Sequence, residues 1–154
     1  MVIREAGIMA RGYPLVYSSY HETGEKKIDV VLRSGLLSGI LTFVESAFEK
    51  QIVEYIESKK YSIAFKADKI LAEKAKEPEP ILSYVIMDKE KKIDKFISKN
   101  VSPFLKKILK EFISDYTGKN LSNVSLFEGF KKTINKIFEI ESKSLDEKFK
   151  ESLF

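Results

Sequence analysis

Apolar positions along the first half of the chain switch between two periods, and the switches mark the elements. VIREAGIM, from Val2 to Met9, and LVYSSY, from Leu15 to Tyr20, read as two short strands. Between them, Arg11-Gly12-Tyr13-Pro14 carries a glycine and a proline, so the spacing predicts a hairpin. HETGEKK, from His21 to Lys27, is polar, and Asp29 stands where it can cap a helix. In LRSGLLSGILTFVESAF the period lengthens. At about 100° per residue, Leu36, Leu37, Ile40, Leu41, Phe43, Val44, Ala47 and Phe48 share an arc of roughly 160°, which predicts an amphipathic helix ending near Lys50.

QIVEYIES and YSIAFKAD, on either side of Lys59-Lys60, predict a second hairpin. Tyr61, Ile63, Phe65 and Ala67 alternate with polar or small residues, so one buried face is expected. AEKAKEPEP, Ala72 to Pro80, is charged and contains two prolines, which predicts an exposed loop. ILSYVIMD, Ile81 to Asp88, is almost continuously apolar, the pattern of a central strand covered on both faces by helical layers. Beyond it, Ile93, Ile97, Val101, Phe104, Ile108 and Phe112, with Leu105, Leu109 and Tyr116 alongside, form a helical stripe. Pro103 interrupts the stripe and predicts either a kink or a fresh start, with Ser102 as cap and Pro103 as first helical residue. Tyr116-Thr117-Gly118 closes that helix. Ser125-Leu126-Phe127-Glu128 reads as a capping box opening another, with Phe127, Phe130, Ile134, Ile137 and Phe138 facing inward. A second box, Ser144 to Glu147, predicts a short last helix ending near Phe154.

Length and composition bound what these elements build. The 154 residues suit one domain, and a 44% hydrophobic share with 11 Phe and 7 Tyr supplies its core. With no Cys there is no disulfide or thiolate metal site, and a single His leaves carboxylates as the metal-binding groups. A cytoplasmic setting is expected. Arg4 and Glu5 break the apolar centre a signal peptide needs, and no apolar run approaches the ~20 residues that span a bilayer. The net charge of +4 comes from 24 Lys and only 3 Arg, whereas phosphates and base edges are usually read by arginine forks. A chain so rich in Lys and Ile fits a biased genome or a hot habitat.

The order of elements is strand, strand, helix, three strands, then helices, β-β-α-β-β-β-α-α. Three stretches carry a resemblance: IREAGIMARGYPLVYS as opening hairpin, LRSGLLSGILTFVESAF as the helix crossing the sheet, and ILSYVIMDKEKKIDKFISKNVSPFLKKILKEF as last strand and second helix. Together, over roughly Val2 to Phe138, they resemble the longin domain, a relative of the roadblock and profilin-like sandwiches. Roadblock proteins typically begin with a helix, so longin is the nearer likeness. The lysine-rich composition and terse loops look archaeal. The resemblance implies an α+β fold: a five-stranded antiparallel sheet with one helix on one face and two or three helices on the other. It also implies a single longin-like domain over 1–154, with sheet and first helix in 1–88 and the C-terminal helices in 89–154. Longin and roadblock domains are platforms in small-GTPase regulation and vesicle trafficking and commonly dimerise. The partner expected is therefore a protein, a small GTPase or trafficking-type complex, in a homo- or heterodimer without a cofactor. Longin SNAREs continue into a coiled-coil motif and a membrane anchor. Neither is found in these 154 residues, so a fusion role is not expected.

Two faces are candidate sites. Opposite the apolar arc of the opening helix lie Ser34, Gly35, Ser38, Gly39, Thr42 and Ser46, with Glu45 the only charge among them. A solvated face would carry Lys and Glu, and each Gly costs about 1 kcal/mol relative to Ala. Two readings stay open: a protein interface that a second backbone approaches closely, or a tight fit of Gly35 and Gly39 onto the chain's own sheet. The second face is basic. Lys92, Lys95, Lys99, Lys106 and Lys110 share roughly a 60° arc if the helix runs through Pro103. A solvated face explains them most simply, and steering of an acidic partner or an anionic membrane surface is the functional alternative. Nucleic acid is not expected, because no aromatic platform interleaves with the lysines.

Catalytic signatures are absent from the sequence. His21 lies in a predicted loop with no local serine and acid to relay a proton, and GxxxxGK[ST] and GxGxxG do not occur, so any nucleotide belongs to the partner. The acids of ESAFEK and EYIES read as the wet sides of their elements. At the C-terminus Phe149, Leu153 and Phe154 are expected to be held by the chain's own domain or a second copy, because Lys143, Lys148 and Lys150 are balanced by Asp146, Glu147 and Glu151. The function expected is a non-enzymatic interaction module. The alternatives are a ligand-binding or enzymatic domain of the same shape, or a peripheral membrane-surface binder acting through the basic second helix.

Overall fold

A computed structural model of the chain describes residues 3–20, 39, 54–57, 61–88 and 101–140, which form an α+β fold around an antiparallel sheet. Four strands of seven to ten residues make its body: β1 (Ile3–Ala10), β2 (Tyr13–Ser19), β4 (Tyr61–Ile70) and β5 (Glu79–Asp88). The four-residue β3 (Glu54–Glu57) extends it, in the order β2-β1-β5-β4-β3 with every neighbouring pair antiparallel. The polar segment from His21, its capping Asp29 and the end of the opening helix near Lys50 lie outside the described residues, as do the apolar arc from Leu36 to Phe48 and the C-terminal box at Ser144.

The first hairpin is tighter than the expected four-residue turn. Arg11 and Gly12 alone close it, with φ of 55° and 83°. Two successive left-handed residues make a turn whose twist matches that of the strands. Tyr13 and Pro14 therefore belong to β2, and the proline is tolerated because β2 is an edge strand. The ladder also slips there: Ile8 pairs with Val16 but Met9 with Pro14, leaving Leu15 as the extra residue of a bulge. A proline and a bulge both blunt an edge against further pairing. On the other side of the sheet, the expected loop over Ala72–Pro80 is shorter at its C-terminal end, because Ile70 pairs with Glu79 and Lys69 with Pro80.

Cross-strand pairing sorts the side chains into two faces. Ala6, Val85 and Ala64 stand side by side, as do Ile8 and Ser83, and Ala10 and Ile81; this front face packs against the helices. Gly7, Tyr84 and Phe65 line up on the back, with Glu5, Ile86 and Ile63 on one flank and Met9, Leu82 and Ala67 on the other. Met9, Ile63, Phe65, Leu82, Tyr84 and Ile86 are buried as well. β5 is thus covered on both faces, as its continuous apolar run predicts. β4 departs from the single buried face expected of it: Ser62 and Ala64 are as buried as Ile63 and Phe65, because small residues on the front lie beneath a helix.

That helix, α1 (Ser102–Tyr116), packs on β4 and β5 through Phe104, Leu105, Ile108, Leu109 and Phe112. Ser102 does not cap it. Val101 precedes it with helical dihedrals (φ −77°, ψ −35°) in a π-type turn, and no side chain caps the end. α1 ends where the sequence predicts, with the Thr117 backbone N–H donating to Ile113 O and Gly118 at φ 85°. The capping box at Ser125–Glu128 does not form. The Ser125 hydroxyl bonds Asn123 Oδ1 at 2.6 Å inside a 3₁₀ turn (Val124–Phe127), and α2, residues 130–140, begins after it. The inward positions nevertheless hold: Phe127, Phe130, Ile134 and Ile137 are buried, and Phe138 packs against the same core.

Candidate functional site

Of the small-residue face, Ser34, Gly35, Ser38, Thr42 and Ser46 lie outside the described residues, and Gly39 lies within them. Gly39 is helical and exposed, and a Cβ built on it would meet nothing within 4 Å. The reading in which this glycine fits tightly onto the chain's own sheet is therefore wrong at this position. Among the described residues no close approach compensates the ~1 kcal/mol that a helical glycine costs relative to alanine. Of the basic face, Lys92, Lys95 and Lys99 lie outside the described residues, while Lys106 and Lys110 are exposed on α1. His21 also lies outside them.

Gly7 shows what a glycine fitted by packing looks like. A Cβ there would fall 2.7 Å from Val16 O and 2.8 Å from the hydroxyl of Tyr84. The space lets that hydroxyl reach along the sheet and donate to Glu5 Oε2 at 2.7 Å, with Glu5 and Tyr84 at 1% and 0% exposure. The pair is sealed from solvent within the sheet. Sequence reading missed it, since Glu5 lies 79 positions from Tyr84 and only strand register brings them together.

Other polar groups tie elements together. Arg4 grips Asp88 with two nitrogens, each 2.9 Å from a carboxylate oxygen, and Arg11 does the same to Glu79 while also donating to Ser122 Oγ at 2.6 Å. The hydrogen bond and charge of Glu79 raise the pKa of Arg11 above its ordinary value. Asn135 Oδ1 accepts from Ser18 Oγ at 2.5 Å and from the Tyr20 hydroxyl at 2.6 Å, pinning α2 to the end of β2. Burial raises the pKa of Tyr20, whose ring stacks on Phe138 at 4.0 Å. Burial likewise raises that of Tyr116.

The surface opens into a groove between β2 and the 3₁₀ turn, about 680 Å³ in volume and lined by Pro14 to Tyr17, Val124, Ser125, Glu128 and Lys131. Of its lining residues, Tyr17 and Val124 are exposed large hydrophobic side chains. Among the described residues no three His, Cys, Asp or Glu side chains gather as a metal site, and no helix is long and apolar enough to cross a membrane.

No known protein family, characterised protein or solved structure matches the chain.

Proposed function

We propose that the chain is a single longin-like domain acting as a non-enzymatic interaction module, one that dimerises and engages a small GTPase or a trafficking-type complex. In this reading the sheet carries five strands, the opening helix covers its back face, and α1 and α2 cover its front. Support comes from the order of elements, from the antiparallel sheet, and from a back face buried although its side chains lie outside the cluster that holds α1 and α2. The function rests on Gly39. An exposed helical glycine whose Cβ would meet open space carries a helix-propensity cost that nothing among the described residues offsets, and a partner backbone approaching that face would offset it.

Substitution at this glycine tests the idea. Gly39→Ala should raise stability by about 1 kcal/mol if the position faces only water in the lone chain. Gly39→Lys should leave the melting temperature near that of the parent chain and abolish self-association in light scattering, together with capture of a small GTPase from native extract. Assembly and capture left unchanged by Gly39→Lys would overturn the proposal.

A further inference from the structure

Ring contacts fix how α1 and α2 lie. Phe104 meets Phe138 with centroids 6.2 Å apart and Phe112 meets Phe130 at 5.1 Å, so the helices run antiparallel, with 104 level with 138 and 112 level with 130. Counting inward from those contacts sets Lys106 level with Lys136 and Lys110 level with Lys132. Each helix thus contributes two lysines one turn apart, with Cβ atoms about 5–6 Å from one another, on axes roughly 8–10 Å apart. All four are exposed, and none is ion-paired among the described residues. Like charges at this spacing repel; the row on α1 runs on to Ser114 and that on α2 to Ile140, with Glu128 one turn before Lys132 and Glu139 three residues after Lys136.

We propose that this outer surface of the helical layer docks on an anionic phospholipid bilayer, a role separate from that of the small-residue face. Lysines are compact point charges suited to a diffuse negative potential, whereas the discrete bidentate capture of a phosphate favours arginine, and α1 and α2 contain none. No exposed aromatic side chain lies on the described helices to stack a base. At the ends of α2 stand exposed apolar residues, Ile140 at 57% and, just ahead of its start, Leu126 at 45%. Exposed apolar side chains on a basic surface add buried apolar area to its electrostatic attraction for anionic lipid. Lys132 and Lys136 lie in FKKTINKIFEI, outside the basic stretch that the sequence singles out; only helix packing joins them to Lys106 and Lys110.

The test uses the full chain and sedimentation with vesicles of phosphatidylcholine, alone or mixed with phosphatidylserine. Binding is expected only with the mixed vesicles, and it should fall as salt rises. Each lysine near such a surface is worth about fivefold in partitioning. The double variant Lys132→Ala, Lys136→Ala should therefore bind on the order of thirtyfold more weakly, with an unchanged or slightly higher melting temperature. Lys74→Ala with Lys76→Ala, in the loop between β4 and β5, removes the same charge elsewhere and should retain binding. Equal losses in the two double variants would overturn the proposal, since net charge alone would then act. So would failure to bind mixed vesicles at low salt, or capture of soluble polyglutamate without capture of vesicles, which would assign the face to an acidic protein.

Discussion

The two faces of the sheet solve the same problem with different chemistry. On the front, Ala6, Ala64 and Ser83 keep side chains short so that α1 lies close, and the hydroxyl of Ser83 donates to the Leu105 carbonyl at 2.8 Å. On the back, the bulk is in the sheet itself, in Phe65, Tyr84 and Met9, and space is made by deleting a side chain at Gly7. The front therefore draws its stability from helix side chains, above all the cluster in which Phe112 meets Tyr116, Phe127 and Phe130 at centroid distances of 4.7 to 5.2 Å. The back depends on a backbone position. A sheet buried on both sides need not be symmetric in how it fails.

The largest effect should come from the front. Phe112→Ala removes a fully buried ring from the centre of the aromatic cluster and should cost about 3–5 kcal/mol in denaturant unfolding, with local loosening of α2 in hydrogen exchange. Gly7→Ala on the back comes next, at about 2–3 kcal/mol, because the new methyl meets a backbone carbonyl that cannot rotate away. Its signature is its response to a second change. Tyr84→Phe relieves the contact with the hydroxyl but not that with Val16 O, so in a Tyr84→Phe background, whose own loss of the Glu5 bond is the reference, the cost of Gly7→Ala should be recovered only in part. Full recovery would mean that the hydroxyl alone demands the glycine, and the contrast between the faces would narrow to one atom.

How much of this was legible in the sequence follows from what each signal encodes. Periodicity located the hairpin, the central strand, the stripe of α1 and the inward residues of α2, since burying an apolar face is a local requirement. Local chemistry was less reliable. Ser125 and Glu128 have the spacing of a capping box, but Asn123 Oδ1 takes the serine hydroxyl and the helix starts later. Pro14 and Pro80 read as loop residues, although an edge position and a strand start admit each of them. Long-range partners were invisible, because the Glu5–Tyr84 pair depends on register and the four-lysine field on antiparallel helix packing. Gly7 and Gly39 look alike in the sequence, yet one is enclosed and the other open.

The smallest predicted effect lies where the dry front face meets its polar rim. The Tyr20 hydroxyl donates to Asn135 Oδ1 at the end of β2, so Tyr20→Phe should cost about 1 kcal/mol near neutral pH. Burial first, opposed by the hydrogen bond with Ser18 and aided by the charge of Glu139, raises the Tyr20 pKa above its ordinary value of 10.0. The folded chain therefore holds this proton more tightly than the unfolded chain. The resulting stabilisation is complete below pH 10 and is lost as pH rises through the folded-state value. Tyr20→Phe lacks that dependence, while Tyr116, whose pKa burial also raises, is common to both chains. Unfolding free energies measured from neutral pH upward should thus differ most at neutral pH and converge above pH 10. A gap that stays constant across that range would show that the rim carries no proton-linked stability and that water reaches the Tyr20 hydroxyl.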